Sequence, residues 1–236
     1  PTVLGGVGIS YNQGADIVLS ALSANGQDLF ASTFIGGTEN DGTNTATALK
    51  YNYADEVRGE IEIDDDGNIL VGSCTFSNDF PTTSDAIQPN LIGNQDGVFF
   101  LLNPDMTDLL ASTYIGGSGA DAIYSISFSE NTGVTLGGGT TSQDLPIPVD
   151  AFRPNFSGGQ ADGFVITIDE FATTVISGTY FGTNSYDQVY FVDRDEAGLV
   201  YLFGQTESET TELLFNAAYG QVGRGMFISK LSQNLQ

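Results

Sequence analysis

The stretch Asp96-Gly-Val-Phe-Phe-Leu-Leu-Asn103, followed by Ala111-Ser-Thr-Tyr-Ile-Gly-Gly117, decides how the chain is read, because it occurs three times. Upstream it is Asp16-Ile-Val-Leu-Ser-Ala-Leu-Ser23 with Ala31-Ser-Thr-Phe-Ile-Gly-Gly37. Downstream it is Asp162-Gly-Phe-Val-Ile-Thr-Ile-Asp169 with Ser177-Gly-Thr-Tyr-Phe-Gly-Thr183. The leading Asp and the residue before the Thr keep one spacing in all three (16 to 32, 96 to 112, 162 to 178), and a fixed internal spacing marks a repeat architecture.

Within the repeats, β-branched and aromatic residues alternate with period two (Val18 and Leu22, Phe34, Ile61 and Ile63, Ile69 and Val71), the pattern of half-buried strands. The second copy predicts strands at 97–103, 109–115, 122–129 and 133–140, separated by turns such as Asn25-Gly26, Asp66-Gly67-Asn68 and Asn94-Gln-Asp-Gly97. A proline-bearing connection follows at 141–159 and has its counterpart at 76–90; proline there argues for loop. The repeat units run about 16–95, 96–161 and 162–223, with partial units at 1–15 and 224–236. Thr2 to Gly8 echoes Val134 to Thr140, and Arg224 to Leu231 opens a fourth copy. No segment carries a helix signal. Four antiparallel strands per copy is the pattern of a β-propeller blade, so the expected fold is all-β, with about three and a half blades forming a partial ring.

One copy is longer. Gly37 to Thr75 covers 38 positions, where Gly117 to Thr140 and Thr183 to Thr206 cover 23. The extra residues lie within Thr38–Ala54 and are read as a surface ornament, since insertions in surface loops cost little. Lys50, Tyr51 and Tyr53 make it the best ligand-binding candidate, able to stack on a sugar ring or a peptide.

Composition limits the chemistry. The 236 residues carry six Lys plus Arg against thirty Asp plus Glu, a formal charge of −24, which repels phosphate backbones and argues against a nucleic-acid partner. Such a surface suits solubility in an ionic medium or the collection of cations. Histidine is absent, which removes Ser-His-Asp and Cys-His catalysis and His-ligated metal sites. The single cysteine, Cys74, forms no internal disulfide and reads as a small buried residue. No apolar run is long enough for a membrane helix, so no membrane insertion is expected. The chain begins at Pro1 without a leader, which reads as a processed product or a window on something longer. Glu62, Asp64 and Asp66, running into Gly67, resemble the start of a calcium loop without its closing ligand; the alternative is a solvated strand ending in an Asp-Gly turn. No cofactor is expected unless calcium binds there. Nothing marks a carboxylate pair of the kind a glycosidase needs, so no catalytic residue is assigned and no enzyme is expected.

The Asp-Gly-Phe-Val-x-x-Ile-Asp, Ser-Thr-Tyr-Ile-Gly-Gly-Ser-Gly-Ala-Asp and Asp-Phe-Pro-Thr-Thr elements together resemble the SBBP repeat, a seven-bladed β-propeller repeat. Asp96 to Pro146 covers nearly the whole pattern and Asp16 to Pro81 matches apart from the insertion. Asp162 to Thr206 departs: Gly182-Thr183 replaces Gly-Gly, and the Phe-Pro-Thr step is lost. The resemblance implies an exported bacterial cell-surface or secreted protein, a piece of a large adhesin-like chain in a gliding or type IX secretion context. It implies a binding, adhesion or structural-spacer role, with surface glycans or other protein domains as partners, and it carries over no catalytic residue. A secreted propeller enzyme acting on polysaccharide and a calcium-stabilised scaffold in an envelope complex are the alternatives. The repeated Asp and Gly are read as structural, Asp closing turns and Gly supplying positive φ.

Overall fold

A computed structural model describes residues 13–214 and 223–236. The echo at Thr2–Gly8 lies outside them. Thirteen strands are described: β1 (Ile17–Leu22), β2 (Leu29–Ile35), β3 (Glu60–Ile63), β4 (Ile69–Thr75), β5 (Asp96–Leu102), β6 (Leu109–Ile115), β7 (Asp121–Ser129), β8 (Gly133–Thr140), β9 (Asp162–Ile168), β10 (Val175–Phe181), β11 (Asp187–Arg194), β12 (Val200–Thr206) and β13 (Gly225–Leu231). The strands predicted for the second copy fall within one residue of β5 to β8. Among the described residues the only helical pieces are two short 3-10 turns, Thr47–Leu49 and Tyr53–Val57, between β2 and β3.

The sheets do not coincide with the repeats. Their orders are β3-β4-β5-β6, β7-β8-β9-β10 and β11-β12-β13, with β1-β2 separate, all antiparallel. Each four-stranded sheet therefore takes its first two strands from one repeat and its last two from the next. The proline-bearing loop joins the middle strands, so every repeat is stitched into two sheets. Its residues also line the outer strand: Thr83 N–H donates to Ser112 O (3.1 Å), and Tyr180 N–H to Arg153 O (3.0 Å).

Neighbouring sheets stack face to face. Leu70, Phe99 and Leu101 of one pack with Ile123, Ile126, Phe164 and Ile166 of the next, and Val165 packs with Val189, Val192 and Leu202 of the third. Glycine makes the fit possible. A Cβ on Gly72 would sit 2.6 Å from Ile126 and 2.7 Å from Ile123, and one on Gly137 would sit 2.5 Å from Val192. The third sheet carries Phe203 at the matching position, exposed and 6.0 Å from Phe191.

Two expectations are corrected. Ile61 and Ile63 do not face a core; they are 53% and 60% exposed, while the glutamates between them point inward. The reason is the edge of β7, whose N–H groups have no ladder partner on that side. The Glu60 carboxylate accepts from Ile126 N–H (2.8 Å) and Ser125 Oγ, and Glu62 accepts from Phe128 N–H (2.7 Å). Likewise Val18 and Leu22 are exposed and Leu19 is buried. The repeated Gly pair is the second correction. Gly36, Gly116 and Gly182 do not have positive φ; they are glycine because an aspartate crowds them. A Cβ on Gly116 would lie 2.4 Å from Asp96 Cγ, and one on Gly182 would lie 2.4 Å from Asp162 Oδ1.

Those aspartates form a junction repeated between sheets. Asp121 N–H donates to Gln95 O (2.8 Å) and Asp187 N–H to Ala161 O (2.9 Å), with parallel bridges at Gln95–Ala120 and Ala161–Tyr186. Beside each bridge lie two buried aspartates, Asp96 with Asp121 and Asp162 with Asp187, and the charge of Asp96 raises the carboxyl pKa of Asp121 as that of Asp187 raises that of Asp162, each adding to the larger effect of burial. Asp121 accepts from Gly117 N–H (2.8 Å), Ser142 Oγ (2.7 Å) and Thr140 Oγ1. Asp41 repeats this set with Gly37 N–H (2.8 Å), Ser77 Oγ (3.1 Å) and Thr75 Oγ1.

Candidate functional site

The insertion is not an ornament. Asn44, buried just after the first junction, donates through Nδ2 to the carbonyls of Leu49 (3.3 Å) and Asp55 (3.1 Å), folding the segment back on itself. Asn52 caps the second 3-10 turn: its side chain accepts from Ala54 N–H (2.9 Å), while Asp55 returns a bond to Asn52 N–H (3.0 Å) and takes another from Tyr51 N–H (2.8 Å). That reciprocal pattern is a capping box, satisfying N–H groups a short helix leaves open.

The folded insertion plugs the end where β3, β7 and β11 run side by side. Leu49 is buried with Cys74 of β4, Tyr124 of β7, and Tyr186 and Tyr190 at β11. The Leu49 carbonyl accepts from Tyr124 Oη (3.2 Å) and Gln188 Nε2 (2.9 Å). Asp55 pairs with Arg58 (3.4 Å) and accepts from Tyr190 Oη (3.5 Å), and the Arg58 guanidinium lies 4.3 Å from the Tyr190 ring centroid. A carboxylate, a guanidinium and an aromatic face buried together satisfy one another. Burial, followed by the charge of Asp55, pushes the Tyr190 phenol well up, and burial lifts the Cys74 thiol to about 12, so Cys74 is the inert residue expected.

Of the three ligand-binding candidates, the plug presents two. Tyr51 is half exposed and stacks on Tyr186 with ring centroids 5.4 Å apart; Tyr53 is 91% exposed. Lys50 is engaged by Glu56 at 3.4 Å. Together they give an aromatic shelf edged by one ion pair. Sequence reasoning missed Asp55, Arg58, Tyr124, Gln188 and Tyr190, which hold that shelf. The available signal was that Tyr124 and Tyr190 occupy one position of the repeat, opposite the only copy with an insertion.

Glu62, Asp64 and Asp66 sit at the opposite end of the first strands and do not converge. Glu62 is taken by Phe128 N–H, and burial is the main cause of its raised carboxyl pKa. Asp64 accepts from Asn68 N–H (2.7 Å) and Nδ2 (2.8 Å), closing the Asp-Gly turn in which Gly67 has φ +83°. Asp66 is exposed. Among the described residues no group of three or more His, Cys, Asp or Glu side chains gathers in metal-binding geometry.

No protein-family model and no curated protein matches the chain. No helix of the described residues is long and apolar enough to cross a membrane.

Proposed function

We propose that the chain is a segment of a β-propeller of the SBBP-repeat kind, about three and a half blades of a ring, serving without catalysis as a binding or adhesion module of an exported bacterial cell-surface protein. Stacked antiparallel sheets with their first strands gathered at one side support the propeller reading. The observation that carries the binding role is the plug: a symmetry-breaking segment, anchored on three sheets, that offers Tyr51 and Tyr53 to solvent. Aromatic faces held rigid lose little conformational entropy when a sugar ring or a peptide side chain stacks on them. Surface glycans or neighbouring protein domains are the partners this chemistry suits. A gliding or type IX secretion context, and a larger adhesin-like parent chain, come from the resemblance alone.

The enzymatic alternative asks for two carboxyls facing one open pocket. Asp96, Asp121, Asp162 and Asp187 are fully buried at the sheet junctions rather than open to a substrate, which favours the non-catalytic reading.

A glycan and peptide array probed with the protein and with Tyr51→Ala/Tyr53→Ala tests the proposal. Binding to one ligand class, weakened about tenfold or more in the variant with an unchanged melting temperature, is expected from the loss of two stacking faces. Equal binding by the variant would sink the plug as the site. Steady turnover of a polysaccharide would overturn the non-catalytic role.

A further inference from the structure

Where the second large sheet meets the third, two buried carboxylate oxygens are left without a donor. Asp162 opens β9 and Asp187 opens β11, each one residue beyond the parallel bridge Ala161–Tyr186, so their side chains leave neighbouring strands on the same side. Both residues are fully buried. Asp162 Oδ2 accepts from Ser157 N–H, and Asp187 Oδ2 accepts from Thr183 N–H (2.7 Å) and Oγ1 (2.7 Å). Among the described residues nothing donates to Oδ1 of either.

The matching junction between the first and second large sheets has no such gap. Asp96 Oδ1 accepts from Gly93 N–H (3.1 Å), and its Oδ2 accepts from Gln88 Nε2 (2.7 Å) and Ile92 N–H (2.9 Å). Asp121 Oδ1 accepts from Thr140 Oγ1. One repeat later Arg153 takes the place of Gln88: the N–H of each donates to a threonine hydroxyl of the outer strand, Thr113 (3.0 Å) and Thr179 (3.1 Å). The Arg153 guanidinium, however, donates to the carbonyls of Gly182 and Glu212 (3.0 Å), leaving Asp162 with Ser157. Thr206 takes the place of Thr140 and likewise accepts from the serine two residues on, Ser208 N–H (2.9 Å), yet its hydroxyl does not serve Asp187. Each partner has thus lost a donor, and a buried acceptor without one is destabilising.

We infer that Asp162 and Asp187 hold one proton between them, the O–H of one carboxylic acid donating to the orphaned oxygen of the other, and that this proton locks the third sheet onto the second. A single proton answers both orphans. When it leaves for water, two adjoining buried carboxylates repel and loosen the bonds beside them, Asp187 N–H on Ala161 O (2.9 Å) and Glu207 N–H on Tyr186 O (2.8 Å). Burial first, and then the charge of Asp187, raises the Asp162 carboxyl to about 7, which sets where the lock opens. The Arg153 guanidinium opposes that rise. Tyr180 of β10 also senses Asp162 but is itself pushed up to about 12 and stays neutral there. The unfolded value is about 3.9, so the lock is present in full below about pH 4 and is lost as the pH rises through 7. This goes beyond the plug's binding role and holds a different place in the fold, so either can fail without the other.

Hydrogen exchange, corrected for its intrinsic pH dependence, reads the lock in the unaltered protein. Protection of the Asp187 amide should fall about tenfold or more between pH 6 and pH 8.5. Asp162→Asn, whose carboxamide donates at any pH, should abolish the fall. Carboxyl-carbon NMR should show a resonance titrating near pH 7 that disappears in Asp162→Asn and whose midpoint drops by about one unit or more in Asp187→Asn. Equal protection at both pH values in the unaltered protein, or an unchanged midpoint in Asp187→Asn, overturns the inference. Protection restored at pH 8.5 by added calcium would put a cation between the carboxylates and overturns it too.

Discussion

Asp121 and Asp162 show how far burial outweighs hydrogen bonding at the sheet junctions. Both have carboxyl pKa values raised to about 7, with burial the leading cause and the charge of Asp96 or Asp187 adding to it. The unfolded value is about 3.9, so the folded chain holds these protons more tightly. Their contribution to stability is therefore present in full below about pH 4 and is lost as the pH rises through 7, with a slope of at most about 1.4 kcal/mol per pH unit for each group. Urea unfolding should find the protein more stable at pH 5 than at pH 8. Asp121→Asn should remove part of that difference, separating it from the general relief of charge repulsion. A protein less stable at pH 5 than at pH 8 would contradict this.

The departure Thr183 for glycine also has a cause at this scale. A Cβ on Gly117 would meet Asp144 Oδ1 at 2.4 Å, and Asp144 accepts from Ser118 N–H (2.8 Å). The third repeat has Thr210 in place of Asp144, so a side chain fits, and the Thr183 hydroxyl donates to Asp187 (2.7 Å) in the role that Ser142 plays for Asp121. Gly117→Thr alone should then cost about 1–3 kcal/mol by overpacking. Adding Asp144→Thr should recover part of it, measured as a non-additive double-mutant cycle; strict additivity would refute the coupling.

At the scale of elements, the strands were legible because period-two patterning and turn chemistry agree, and β5 to β8 fall within a residue of their expected bounds. The assignment of strands to sheets was not. A repeat cut at Asp96 contains four strands, and nothing local says that β6 and β7 part company while β8 and β9 pair across a loop of some twenty residues. Strand facing also escaped where side chains of distant elements decide it. The pattern Glu60-Ile-Glu-Ile63 reads with the isoleucines inward, yet unpaired N–H groups of β7, more than sixty positions away, draw the glutamates in. The repeat arithmetic found the insertion and its exposed tyrosines but closed it at Ala54, whereas its second 3-10 turn runs on to Val57, just before β3. Its buried half was hidden because Leu49, Asn44 and Asp55 find their partners on β7 and β11, which no local pattern reveals.

For the whole molecule, stacking depends on glycine where one sheet receives the β-branched side chains of the next, at Gly72 and Gly137. Phe203 breaks that series, so the outer face of the third sheet does not receive another sheet in the same way. The plug acts across the same array: one segment from the first repeat packs against β4, β7 and β11, a strand from each of the three large sheets. Hydrogen–deuterium exchange on Leu49→Ala tests this most directly, because the substitution removes a buried side chain worth about 2–5 kcal/mol while leaving Tyr51 and Tyr53 in place. Amides of β7 and β11 should lose protection together with residues 41–58. Loss confined to residues 41–58, with β7 and β11 as protected as in the parent protein, would return the insertion to the status of an ornament.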